Sequence, residues 1–150
     1  MAAGHSRAAV QRLATRALNR SRKGGRHLIT ISSDVIRGYN DTIILYLLLD
    51  RPSYGYEISR MIRQLSDGKY VIKETTLYSA FTRMEKNGYI TSFSRSAENG
   101  KRRTYYSITE AGREYYREKC EEWNLTKEVV EHFISPMGTR ALPHGGGLRL

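Results

Sequence analysis

Apolar residues recur at helical spacing from Val35 onward. Val35, Ile36, Tyr39, Ile43, Ile44, Leu47 and Leu48 follow Ser32–Ser33–Asp34, residue types that start helices. The pattern predicts a first helix over about 34–49, broken by "DRPSYG". A second helix is expected over about 54–66, with Ile58, Met61, Ile62 and Leu65 turned inward and "SDG" at 66–68 as its stop. "KYVIK" reads as a short extended link. Thr75 or Thr76 then caps a third helix over about 75–87, whose buried stripe is Leu77, Phe81 and Met84. Asn87-Gly88 ends it, with Gly88 as a left-handed cap.

The period then changes from helical to alternating. "YITSFSR" (89–95) and "RRTYYSIT" (102–109) read as strands flanking "SAENGK", which carries an Asn-Gly turn signal. Along the second strand, Tyr106 and Ile108 share the face that packs on the helices, while Arg103, Tyr105 and Ser107 share the other. Thr109 is the expected N-cap of a fourth helix over about 110–134, ended by "SPMG". Helix, helix, helix, hairpin, long helix is the order of a winged helix-turn-helix. The expected class is α+β, mostly α, without internal repeat or βαβ alternation. The fourth helix carries Tyr116, Cys120, Trp123, Lys127, Val130 and Ile134 at steps of four and three, a heptad-like seam flawed at Lys127. Such a stripe needs a cover, either a partner helix or the chain's own winged domain. The expected domains are therefore a basic disordered extension (1–30), a winged helix-turn-helix (31–109), a dimerisation helix (110–134) and a disordered tail (135–150).

Charge sharpens this division. The net charge is +10 and the isoelectric point about 9.9. Residues 1–30 hold seven Arg/Lys and no acid, whereas 31–134 hold 16 basic and 15 acidic residues. High pI alone is thus a statement about the tails. Within the folded part, 31–109 is net +4 and 110–134 is net −3. An anionic polymer would be met by the first part and not the second. For 1–30, three readings stand: a disordered extension, a DNA-contacting arm, or an organellar transit peptide of the same composition.

The candidate chemistry is recognition rather than catalysis. The outer face of the third helix presents Thr76, Tyr78, Ser79, Thr82, Arg83 and Lys86, with Glu85 as its acid. Hydroxyls and cations suit phosphates and base edges in a major groove, but an ordinary solvated face has the same composition. The hairpin places Arg95, Lys101, Arg102 and Arg103 around a loop with one acid, Glu98, and Tyr105 can offer its hydroxyl to a phosphate. Basic residues also blunt exposed sheet edges. A single cysteine, Cys120, excludes an internal disulfide framework, and without a Cys/His cluster no metal site or cofactor is expected. Three of the four histidines lie in the tails, and "HGGG" at 144–147 lacks the strand context of an oxyanion loop, so no catalytic residue is assigned. The longest apolar run, "IILYLLL", is too short to span a bilayer, so a cytoplasmic protein is expected.

Three blocks, "SYGYEI" (53–58), "TLYSAFTRMEKNGYI" (76–90) and "GKRRTYYSITEAG" (100–112), resemble the PadR-like family of transcriptional regulators, with Met84 and Ile108 in place of leucines. The resemblance runs from about Ser33 to Ile134. It implies a homodimeric winged-helix regulator, usually a repressor, bound to double-stranded DNA at a palindromic operator. It sets Tyr54, Gly55, Tyr56, Thr76, Tyr78, Ser79, Arg83, Lys101 and Arg102 at DNA-facing positions. The single C-terminal helix is similar to that of the short-form members, where it pairs with the first helix across the dimer. That implies an interface of Ile43, Leu47, Tyr116, Cys120, Trp123, Val130 and Ile134. Multidrug-sensing members stack planar aromatic compounds on a tryptophan at the position of Trp123, with Tyr46 and Tyr116 here among the neighbouring positions. The pore positions Thr42, Tyr46, Tyr116, Lys119 and Lys127 all depart from the smaller or less charged groups of those members, and bulky tyrosines and lysines could fill the cavity, so Trp123 reads either as plain interface or as a ligand platform. A winged-helix protein-interaction module without DNA readout remains the alternative from another class.

Overall fold

The first helical stretch is broken where the apolar pattern predicts continuity. The structure, a computed structural model, describes residues 29–134. In it, α1 (Ser33–Arg37) and α2 (Asn40–Leu48) are separate helices. Gly38 is a weak helix former, and Tyr39 leaves helical geometry at φ −114°. The break turns Asn40 into the interior, where its Oδ1 accepts the Tyr70 hydroxyl at 2.6 Å. A buried amide without such a partner would cost about 1–3 kcal/mol. α1 buries nothing, which leaves Val35 exposed rather than in the core.

The remaining elements are β1 (Ser53–Tyr54), α3 (Gly55–Leu65), α4 (Glu74–Lys86), β2 (Ile90–Ser96), β3 (Arg102–Ile108) and α5 (Glu110–Glu131). β1 was not expected. "DRPSYG" does end a helix, but Ser53 and Tyr54 then pair antiparallel with Tyr106 and Tyr105. The wing is thus a three-stranded sheet of order β1-β3-β2. α4 starts at Glu74 behind Lys73, so neither Thr75 nor Thr76 caps it. The hairpin closes with Ala97 and Lys101 bonded across a loop in which Gly100 takes φ +75°. The class is as expected: α+β, mostly α, a winged helix-turn-helix with a long C-terminal helix. The expected extension and tail lie outside the described residues, apart from 29–30.

α2, α3, α4 and the inner face of the sheet enclose one core. Ile44, Leu45, Leu48, Ile58, Leu77, Phe81, Met84 and Ile90 are buried in it. Phe81 stacks on Tyr106 with ring centroids 3.9 Å apart, which ties α4 to the sheet. Leu65, expected inward, is partly exposed at the end of α3.

The end of α4 and the start of α5 form one joint. Tyr89 N donates to Met84 O and Gly88 N to Glu85 O, the paired bonds of a Schellman cap, with Gly88 at φ +78°. Thr109 then caps α5, as expected, by accepting from Gly112 N at 3.0 Å. The same hydroxyl donates to Gly88 O at 2.6 Å, and Thr109 N donates to Tyr89 O at 3.0 Å. A side chain at Gly112 would put its Cβ 2.1 Å from the Tyr89 carbonyl oxygen. Only glycine lets α5 come this close. Gly112→Ala is expected to lower stability by roughly 1–3 kcal/mol, the usual range for forced overpacking. Urea denaturation checks this, and an unchanged midpoint would show that the joint yields freely.

Candidate nucleic-acid interface

α4 and the wing lie side by side because Phe81 and Tyr106 hold them together from inside. Their outer surfaces carry most of the residues expected to meet DNA. On α4, Tyr78 and Ser79 are exposed and Thr76 is half-buried. Lys86 is exposed at the last turn, where a cation suits the helix dipole. Thr75, Thr76, Ser79 and Arg83 line a shallow cleft of about 260 Å³ together with Arg37 and Asn40. Arg37, reaching in from α1, was not among the expected residues. No local pattern marks it, because α1 and α4 meet only in the fold.

Arg83 is not a free cation. Its guanidinium pairs with Asp41 of α2, and the carboxylate side is largely shielded from water. Asp41 lies 42 residues away in the chain, so the sequence showed a bare arginine where the fold has an ion pair. Glu85, the acid of the same helix, accepts the Ser92 hydroxyl of β2 at 2.7 Å.

Gly55 is buried rather than facing outward. A Cβ there would lie 2.7 Å from the Tyr78 hydroxyl oxygen, so this glycine makes room for a recognition-helix side chain. Tyr56, one residue on, stands 73% exposed. Tyr54 is half-buried beneath Arg103, whose guanidinium carbon sits 4.5 Å from the ring centroid. Arg95 lies over Tyr105 at 5.8 Å. Lys101 and Arg102 project from the wing tip, exposed, and take part in no ion pair among the described residues.

The expected dimer residues divide along α5. Its first turns pack on the chain's own α2, where Arg113 Nη2 donates to Leu49 O at 2.9 Å. Tyr46 and Tyr116 rings stand 6.4 Å apart. Burial, and then the neighbouring Cys120 thiol, push the Tyr116 hydroxyl pKa far up. Burial likewise raises Tyr115 and Tyr70, the latter against its bond to Asn40. Leu47 lies in the chain's own core at 7% exposure, and Ile43 packs against that core. Leu47 therefore offers a partner little surface. Beyond Cys120 the helix leaves the domain. Trp123, Leu125, Val129, Val130, Phe133 and Ile134 are all exposed. Tyr39 meets Trp123 edge-on at 5.0 Å, and the Lys127 ammonium lies over its ring at 5.8 Å.

Residues 44–118 match the model of the transcriptional regulator PadR-like family. This chain belongs to that family. A solved transcriptional regulator from Clostridium thermocellum is 64% identical, covers 69% of this chain and 100% of its own, and superposes with a TM-score of 0.65. A PadR family transcription regulator from Clostridium difficile is 33% identical over 65% of this chain and 99% of its own, with a TM-score of 0.57. An uncharacterised protein of Lysinibacillus sphaericus is 41% identical over 104 residues, 69% of this chain and 95% of that protein. PadR-like proteins are transcriptional regulators with a DNA-binding winged helix, not enzymes. No group of His, Cys, Asp or Glu suited to a metal ion forms among the described residues, nor is any described helix long and apolar enough to cross a membrane.

The Arg83–Asp41 pair neutralises one positive charge on the outer face of α4. Asp41→Asn is expected to cost less than about 1 kcal/mol in stability, since Arg83 is half in solvent. It should tighten binding to duplex DNA of any sequence and steepen the salt slope by about 0.9 per subunit. Fluorescence anisotropy on a random duplex at several salt concentrations measures both.

Proposed function

We propose that the chain acts in the cytoplasm as a homodimeric repressor that binds a palindromic operator in double-stranded DNA. The observation that carries this reading is the wing tip: Lys101 and Arg102 stand exposed beside a recognition helix whose outer face is rich in hydroxyls. α4 would enter the major groove with Thr76, Tyr78 and Ser79 toward base edges, and with Arg83 held in register by Asp41. Lys101 and Arg102 would grip the flanking backbone, with Arg95, Arg103, Tyr105, Tyr54, Tyr56 and Lys86 bordering it. Gly55 contributes from beneath, by admitting Tyr78. The second copy of the chain would cover the apolar residues of α5 past Cys120, which stand exposed here. Two-fold symmetry then sets the half-sites about one helical turn, ~34 Å, apart.

If each subunit neutralises about two to four phosphates, log K should fall against log salt with a slope of about −4 to −7. Replacing Lys101 and Arg102 by alanine should weaken all sequences alike and flatten that slope by about 1–2 units per subunit. Ser79→Ala should instead change which base is preferred at one position. Competition binding on a randomised operator separates the two effects, and the same outcome for both would sink the division of labour. Absence of binding to random duplex at low salt would favour a protein-interaction module.

Release of DNA by a planar aromatic compound is the further arm of this reading. Its support is that 43% of Trp123 is exposed at the point where α5 leaves the domain. A planar dye titrated into the dimer should quench Trp123 emission, and Lys127→Ala should strengthen the effect by clearing one ring face. No change in emission with either protein would remove this arm.

A further inference from the structure

We propose that the cleft between the loop at 51–52 and the wing loop binds a free nucleoside phosphate, a planar base carrying a phosphate. The outer face of the sheet carries a cross-strand aromatic row. Tyr54, Tyr105 and Phe93 are direct partners in register, with ring centroids 5.3 Å and 5.7 Å apart along the row. Over the Tyr54–Tyr105 part of this row, the loop at 51–52 and the wing loop enclose a cleft of about 610 Å³. That volume is in the range of small-molecule sites.

Arg51, Arg95 and Arg103 all line it. Arg51 is held by Glu57 at 2.7 Å, and Glu57 also accepts the Ser53 hydroxyl at 2.7 Å, so that carboxylate is fully engaged. Arg95 and Arg103 lie on tyrosine faces instead and have no carboxylate partner among the described residues. Arg95 and Arg103 are direct cross-strand partners that both line the cleft, and arginine binds a dianionic phosphate in bidentate fashion. Cross-strand aromatic pairs alone would stabilise the wing, by about 0.2–1 kcal/mol each. They do not account for two arginines without a carboxylate partner among the described residues, Arg95 and Arg103, on one hollow. A bare phosphate would leave most of the cleft and its tyrosine floor uncovered. A base does not, because its π-face stacks on tyrosine or on guanidinium planes. Glu98, the remaining acid of the cleft, supplies an acceptor for the N–H edge of a base, which favours guanine.

The inference does not rest on DNA binding, and its test contains no DNA in the main arm. The full-length protein is titrated with GMP, guanosine and ribose 5-phosphate, and backbone amide signals are followed by NMR. GMP is expected to bind saturably and to move signals of 51–54 and 95–105, with guanosine and ribose 5-phosphate each at least about tenfold weaker. Arg103→Ala should weaken GMP about tenfold, the loss of one charge-assisted bond, and Arg103→Lys should restore part of it. If Arg103→Ala disturbs the wing itself, Arg95→Ala should give the same loss without touching the Tyr54 stack. Absence of saturable GMP binding would overturn the proposal. So would ribose 5-phosphate matching GMP, which leaves only a bare anion patch, or shifts confined to α4 or to the region of Trp123. In a second arm, a duplex that moves the same signals when GMP moves none would assign these cations to the DNA backbone alone. The DNA reading fails separately, by loss of duplex binding in a protein that still takes GMP.

Discussion

The arrangement of the functional surfaces depends on one close approach, that of Gly112 to the Tyr89 carbonyl. There the first turn of α5 sits directly on the end of the recognition helix. The Thr109 hydroxyl closes the contact from both sides, donating to Gly88 O and accepting from Gly112 N. Tyr89 and Tyr115 stack across it with ring centroids 4.2 Å apart and planes within 5°. Arg113 fastens the same turn to the Leu49 carbonyl at the end of α2. α5 is thus fixed to α4 at one edge and to α2 at the other before it leaves the domain. Whatever covers its exposed distal residues also sets the placement of α4. In a symmetric pair of chains, the spacing of the two recognition helices would follow from this joint rather than from any flexible link.

The same economy appears in the sheet. Its two-residue period gives adjacent tyrosines opposite surroundings: Tyr106 stacks on Phe81 inside, and Tyr105 joins Tyr54 and Phe93 outside. Burial raises the pKa of Tyr106, as expected for a hydroxyl in the core. β1, only two residues long, widens the outer face enough to hold an aromatic row with arginines over it. Without Ser53 and Tyr54 in the sheet, the hairpin would be a two-stranded ribbon held by its packing on the helices alone.

What the chain disclosed in sequence was what is local. The stripe of Leu77, Phe81 and Met84, the left-handed Gly88, the Thr109 cap and the opposite facing of Tyr105 and Tyr106 each follow from periodicity or from a single residue's backbone preference. β1 was not legible, because two residues carry no period and the strand exists only through pairing with residues some fifty positions later. The break at Gly38–Tyr39 was hidden by apolar spacing that runs through it, and its reason, Asn40 meeting Tyr70, is 30 residues distant. Of the candidate site, the exposed cations of the wing tip were legible and the state of Arg83 was not, since its partner lies on another helix. Gly55 and Gly112 stood in the family-like blocks, but their purpose, room for Tyr78 and for the Tyr89 carbonyl, belongs to packing alone.

Pairing also changes where the positive field lies. Counting residues, 31–109 is net +4, spread over helices and wing alike. In the fold, Arg83 is neutralised by Asp41 and Arg51 by Glu57, while Arg117 and Lys119 are taken by acids of α5. The wing keeps Arg95, Lys101, Arg102 and Arg103 against Glu98 alone. At about 0.15 M salt, charges are felt over roughly 8 Å, so cations on paired strands such as Arg95 and Arg103 act together. An anionic partner is therefore drawn to the wing end of the molecule and repelled from α5. That leaves the distal apolar residues of α5 to a partner of a different kind. The polarity that a bulk charge of +10 obscures arises from a few ion pairs that only the fold creates.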